Sequence, residues 1–140
     1  MDAKTLERKL LKLGACSEAR EWARGKSLAE VYAQFHRADW WLWLAARVGV
    51  DRRAVVLAAC ACARTALGHM PAGEERPLRA LETAEAWARE EPGVTLGDVR
   101  KAAAAADAAD ADRKTALASM VPLVKQHLPL AMVEAALETA

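Results

Sequence analysis

Residues 39–67 open as Asp39-Trp40-Trp41-Leu42-Trp43-Leu44-Ala45-Ala46-Arg47-Val48, turn at Gly49-Val50-Asp51, and continue as an alanine- and cysteine-rich run from Arg52 to Leu67. The apolar spacing is that of two helices meeting at a tight connection. Asp39 can accept the free backbone N–H groups of a helix starting at Trp40, and Gly49 can close that helix in the left-handed conformation that a missing Cβ allows. Asp51 is the next cap, and Val50 before it is placed to close over Val55 just inside the second helix.

On the first helix Trp40, Trp43, Leu44 and Arg47 or Val48 recur at threes and fours, while Trp41 and Ala45 extend that face sideways. The core is therefore expected at Trp40 and Trp43, with Val56, Cys60, Ala63 and Leu81. Trp41, about 100° around the helix from each neighbour, is expected at the edge, where it could reach a surface or a partner. The second helix has Val56, Cys60, Ala63 and Leu67 on one face and Val55, Ala59, Cys62 and Ala66 on the next, leaving Arg53, Arg64 and Thr65 clearly polar. A helix apolar on most sides is a buried one.

Working outward, 140 residues fit one domain, and the Ala-, Leu-, Glu- and Arg-rich composition with few β-branched residues gives no convincing strand. The fold class expected is all-α, a single compact bundle of roughly eight helices over residues 1–140 with an alanine-rich helix in the C-terminal half. Asp2 caps a first helix with a Leu6, Leu10, Leu13 stripe that Gly14 ends. Ser17 caps a short second one, and Ser27 with Glu30 forms a capping box for a third along Leu28, Val31 or Tyr32, and Phe35. After Gly68 the segment His69-Met70-Pro71-Ala72-Gly73-Glu74-Glu75-Arg76 reads as the longest loop, and Pro77 suits the first turn of the helix through Leu81, Ala84, Trp87 and Ala88. Thr95 with Asp98, flanked by Val94 and Val99, opens the alanine-rich helix, whose tract at Ala102 to Ala106 and Ala108-Ala109 is broken by Asp107, Asp110 and Asp112. Ser119 and Pro122 start another helix. Pro129 starts the last, which docks through Leu130, Val133 and Leu137.

The net charge is +1, but its distribution is uneven: residues 1–53 carry eleven Lys and Arg against seven Asp and Glu, and residues 54–112 six against ten. Three cysteines, two of them on a helix expected to be buried, suit reduced thiols and a cytoplasmic location. No apolar run approaches a membrane span, so no membrane partner is expected. Cys60 and Cys62 lie about 200° apart on a helix and cannot clamp one metal, and His36, His69 and His127 lack zinc-ligand spacing. With no phosphate loop or nucleophile elbow either, the reading is not an enzyme, with no cofactor and no catalytic or metal residues.

Several pieces, taken in order and spacing, resemble the all-helical immunity-protein family of bacterial polymorphic toxin systems, whose relatives also occur in phages and prophages. They are Leu13-Gly14-Ala15-Cys16, Ala38-Asp39-Trp40 with Trp43-Leu44, Leu57-Ala58-Ala59-Cys60-Ala61-Cys62-Ala63-Arg64, and Ala72-Gly73-Glu74-Glu75-Arg76-Pro77 followed by Ala84-Glu85-Ala86-Trp87-Ala88-Arg89. Two departures stand out: Glu90 occupies the place of a glycine after Trp-Ala-Arg, and the alanine-rich region is short and broken by aspartates. The resemblance implies a protein that binds and neutralises a cognate toxin protein, and it carries over no binding residues.

The leading expectation is thus an intracellular protein-binding inhibitor. The acidic middle and the loop suggest Glu74, Glu75 and Arg76, with Trp41, as partner-binding residues. The alternatives are a phage-borne or regulatory nucleic-acid-binding helical domain using the basic N-terminal third, although nucleic acid is the less favoured partner, and a structural or oligomerisation module built on the alanine-rich helix.

Overall fold

The computed structural model describes residues 1–69, 73–106 and 119–140, and among these every regular element is helical. The helices are α1 (Ala3–Leu13), α2 (Ser17–Ala23), α3 (Leu28–Gln34), α4 (Ala38–Arg47), α5 (Arg52–Ala66), α6 (Arg76–Ala88), α7 (Leu96–Ala106), α8 (Val121–His127) and α9 (Leu130–Thr139), with a 3-10 turn at Leu67–His69 after α5. Met70 to Ala72 of the expected loop and the second half of the alanine tract, with Asp107, Asp110 and Asp112, lie outside the described residues.

Local chemistry sets most helix starts. Asp2 Oδ1 accepts from the Thr5 N–H at 3.0 Å to begin α1. Ser27 and Glu30 exchange reciprocal bonds at the head of α3, and Thr95 and Asp98 do the same at α7. Asp51 accepts from Arg53 N–H to start α5, with Val50 buried and Val55 packed beside the core. Three caps differ from expectation: α8 is preceded by Met120, which makes no side-chain cap bond, in place of Ser119. α2 is preceded by Cys16, which makes no side-chain cap bond, and Ser17 is its first residue. α4 begins at Ala38 rather than Trp40, because the Asp39 carboxylate is taken by two bonds from the Arg37 guanidinium, at 3.0 and 2.8 Å.

That earlier start exposes the main correction. The buried face of α4 is Ala38, Trp41, Leu44, Ala45 and Val48, at spacings of three and four. Trp41 is 2% exposed, whereas Trp43 is 39% exposed and Trp40 half-buried. Ala38 and Ala45 have no Cβ branch to hold neighbours off, so α4 lies close on its partners along this stripe. The Trp40 and Trp43 stripe runs into Arg47 and faces outward. Trp41 stacks on Phe35 of the α3 end, with centroids 5.4 Å apart and planes 11° from parallel, and its Nε1 donates to the Leu128 carbonyl at 3.0 Å. One side chain thus ties α4 to α3 and to the α8–α9 junction.

The large core gathers Leu6 and Leu10 of α1, Leu28 and Val31 of α3, the α4 stripe, Ala58 and Cys62 of α5, Val124 of α8, and Val133 and Leu137 of α9. A second, smaller cluster joins Cys60 of α5 to Leu81 and Ala84 of α6, with Val56, Ala63, Leu67 and Val99 half-buried around it. Cys60 and Cys62, on opposite sides of α5, therefore serve different cores, and the Cys62 thiol faces the Met120 carbonyl at 3.8 Å. The polar residues of α5 hold α6. Arg64 donates twice to Glu85, at 2.6 and 2.7 Å, while Arg53 lies 4.7 Å over the Trp87 ring and 3.5 Å from Glu90. α7 packs on α6 and buries no residue fully.

Candidate functional site

A groove of about 320 Å³ opens between the α1–α2 connection, α2 and the outer face of α4. The sequence builds it in three steps. Gly14, at φ 82°, turns the chain sharply after α1, so that Ala15 and Cys16 form one edge and Arg20 can fix that edge by donating to the Ala15 carbonyl at 3.0 Å. Arg47 donates to the Leu13 carbonyl at 3.1 Å, which draws the end of α4 against the end of α1. The buried Trp41, Leu44, Phe35 and Leu10 then form the floor, and Trp22, Trp40 and Trp43 line the outer walls.

The groove is mostly apolar, and its charged groups are Glu18, Arg37 and Asp39. Arg37 is held by Asp39 and lies 3.7 Å from Glu18, whose side chain is largely exposed. Behind this rim Trp22, His36 and Trp40 pack ring on ring, with all three centroid separations between 5.4 and 5.7 Å. Two of the indoles carry cations: Lys26 lies 4.5 Å over Trp22, and Arg37 lies 5.1 Å over Trp40. Trp43 differs from both. Among the described residues it has no cation over its ring and no hydrogen bond from Nε1.

The residues expected at a partner surface are separated. Trp41 is 2% exposed, in the core beneath the groove rather than at its edge, with its N–H already donated to Leu128. Glu74 and Arg76 bond each other at 2.6 Å, and Glu75 pairs with Arg79 at 2.8 Å. The Arg76 guanidinium and backbone N–H hold the Glu74 carboxyl down to about 2. These four groups sum to zero charge, so the loop presents no net acidic field. The groove places together Trp43, Trp22 and Glu18, which the sequence did not single out as surface residues. Arg47 one turn beyond Trp43 was the available signal that the Trp43 stripe faces water.

Cys60 and Cys62 are buried in apolar surroundings that push both thiols up to about 11, with the Glu85 carboxylate a further cause for Cys60. Cys16 is the exposed thiol. Among the described residues no three His, Cys, Asp or Glu side chains converge as a metal site, and no helix is long and apolar enough to cross a membrane. Compared with known proteins, the chain matches no family model, no curated protein and no solved structure.

Proposed function

We propose that this chain is an intracellular protein-binding inhibitor that neutralises a cognate toxin, as its resemblance to the immunity-protein family implies, and that it engages the partner through the tryptophan-walled groove. The observation that carries this reading is the outward Trp43, set beside Trp22 and Trp40 over a rigid apolar floor. Large aromatic side chains in a concave, well-supported patch are the residues on which protein interfaces concentrate their energy. The floor belongs to the core, so the walls need little ordering on binding, which lowers the cost of association. The groove is favoured over the Glu74–Arg76 loop because the loop acids are already spent on neighbouring arginines.

The test is to co-express the chain with the protein encoded beside it and purify the two together. The reading expects a stoichiometric complex that survives moderate salt and abolishes the partner's toxicity. A chain that leaves toxicity intact and instead binds oligonucleotides, with affinity falling log-linearly as salt rises, would point to the nucleic-acid reading.

A further inference from the structure

We propose that the groove receives a lysine or arginine side chain of the partner, its charged head over the Trp43 ring and paired with the Glu18 carboxylate. This rests on the groove being a protein-binding surface and specifies what enters it. The first ground is the treatment of the other indoles. Each tryptophan outside the large core except Trp43 has a cation of this chain over its ring: Lys26 on Trp22, Arg37 on Trp40 and Arg53 on Trp87. The negative face of an indole attracts such groups, and Trp43, which lines the groove, has none supplied from within the described residues.

The second ground is charge. The groove is lined by two carboxylates, Glu18 and Asp39, and one guanidinium, Arg37. Arg37 spends its two-pronged contact on Asp39, at 3.0 and 2.8 Å, and reaches Glu18 only at 3.7 Å. The lining therefore carries a net charge of −1, and its surplus sits on the exposed Glu18. A neutral apolar side chain would fill the volume and leave the net charge of the lining unbalanced, with Glu18 holding only its 3.7 Å contact with Arg37. A lysine or arginine satisfies both parts, because its stem is apolar and its head cationic.

The test uses three probes: the acetylated and amidated tripeptide Gly-Arg-Gly, the same peptide with citrulline, which keeps the shape of arginine but removes its charge, and a short oligothymidine. Each is titrated into the whole chain while the indole N–H resonances are followed. The expected result is a saturable shift of the Trp43 and Trp22 signals by the arginine peptide, with Trp87, which lies outside the groove, unmoved. Citrulline should bind about fivefold more weakly, as loss of one exposed ion pair and one cation–π contact implies. Glu18→Gln, a change at an exposed position, should narrow the gap between the two peptides to what the cation–π contact alone supplies. Equal binding of arginine and citrulline by the wild-type chain would overturn the proposal, as would no saturable shift at about 10 mM peptide, where the binding would be too weak to contribute. Tighter binding of oligothymidine at the same resonances would also overturn it, in favour of base stacking. Because a partner complex can form by other contacts, a failed peptide test leaves the protein-binding reading standing, whereas a failed co-purification does not depend on Glu18.

Discussion

On α4 the same residue type meets opposite fates two positions apart, because a two-residue step on a helix turns the side chain about 200°. Trp41 points into the large core and Trp43 into the groove. Trp41→Ala should then cost about 3–5 kcal/mol, as truncation of a buried aromatic side chain does. Trp43→Ala should change stability by less than about 1 kcal/mol, as surface substitutions do; chemical denaturation of both variants checks the pair. Glu90 offers a test in the other direction. It follows α6 at φ 60°, the left-handed region that disfavours a side chain. Glu90→Gly should stabilise the chain by about 0.5–1 kcal/mol, the relief of strain outweighing the exposed contact with Arg53; a lower melting temperature would show that contact to be the stronger. Of the three thiols, exposed Cys16 should be alkylated in the native protein near pH 8, while Cys60 and Cys62, pushed up to about 11, stay thiols. Mass spectrometry should find one adduct without denaturant and three with it.

At the scale of elements, the α5–α6 pairing depends on Glu85, which is 7% exposed and receives both prongs of Arg64. The Arg64 hydrogen bonds hold the Glu85 carboxyl below its ordinary value of 4.5. A depressed folded value means that the unfolded chain binds the proton more readily. The stabilisation is thus fully present above pH 4.5 and is lost as pH falls through the lower folded value. Glu85→Gln should cost about 1–3 kcal/mol at neutral pH and make the acid limb of a stability profile shallower below pH 4.5; an unchanged limb would remove Glu85 from that role. The helices themselves were legible because their signals are local: Ser27 with Glu30, Thr95 with Asp98, and Asp51 with the Val50–Val55 pair all act within one turn of the chain. The face of α4 was not legible in the same way. All three tryptophans fit an apolar stripe, and the choice among them is made by the small Ala38 and Ala45, which permit close approach to neighbours that include α8 and α9, elements distant in sequence. The groove was hidden for the same reason, since Glu18, Trp22 and Trp43 meet only once α1, α2 and α4 are assembled.

Across the whole molecule, the two clusters share α5, and the groove lies on the side built by α1, α2 and α4, away from the α6–α7 pairing. Substitutions that loosen the smaller cluster should therefore leave the groove's floor in place, whereas those at Trp41 should disturb floor and fold together. The contrast between Trp41 and Trp43 separates binding from stability, so it bears most directly on the claim that the groove engages a partner. The measurement is the affinity of wild type and Trp43→Ala for the protein encoded beside this chain, with melting temperature recorded for each. The account predicts a Kd at least about tenfold weaker for Trp43→Ala, the loss expected of an aromatic anchor, with a melting temperature within about 4 °C of wild type. An unchanged Kd in a variant that melts like wild type would contradict it.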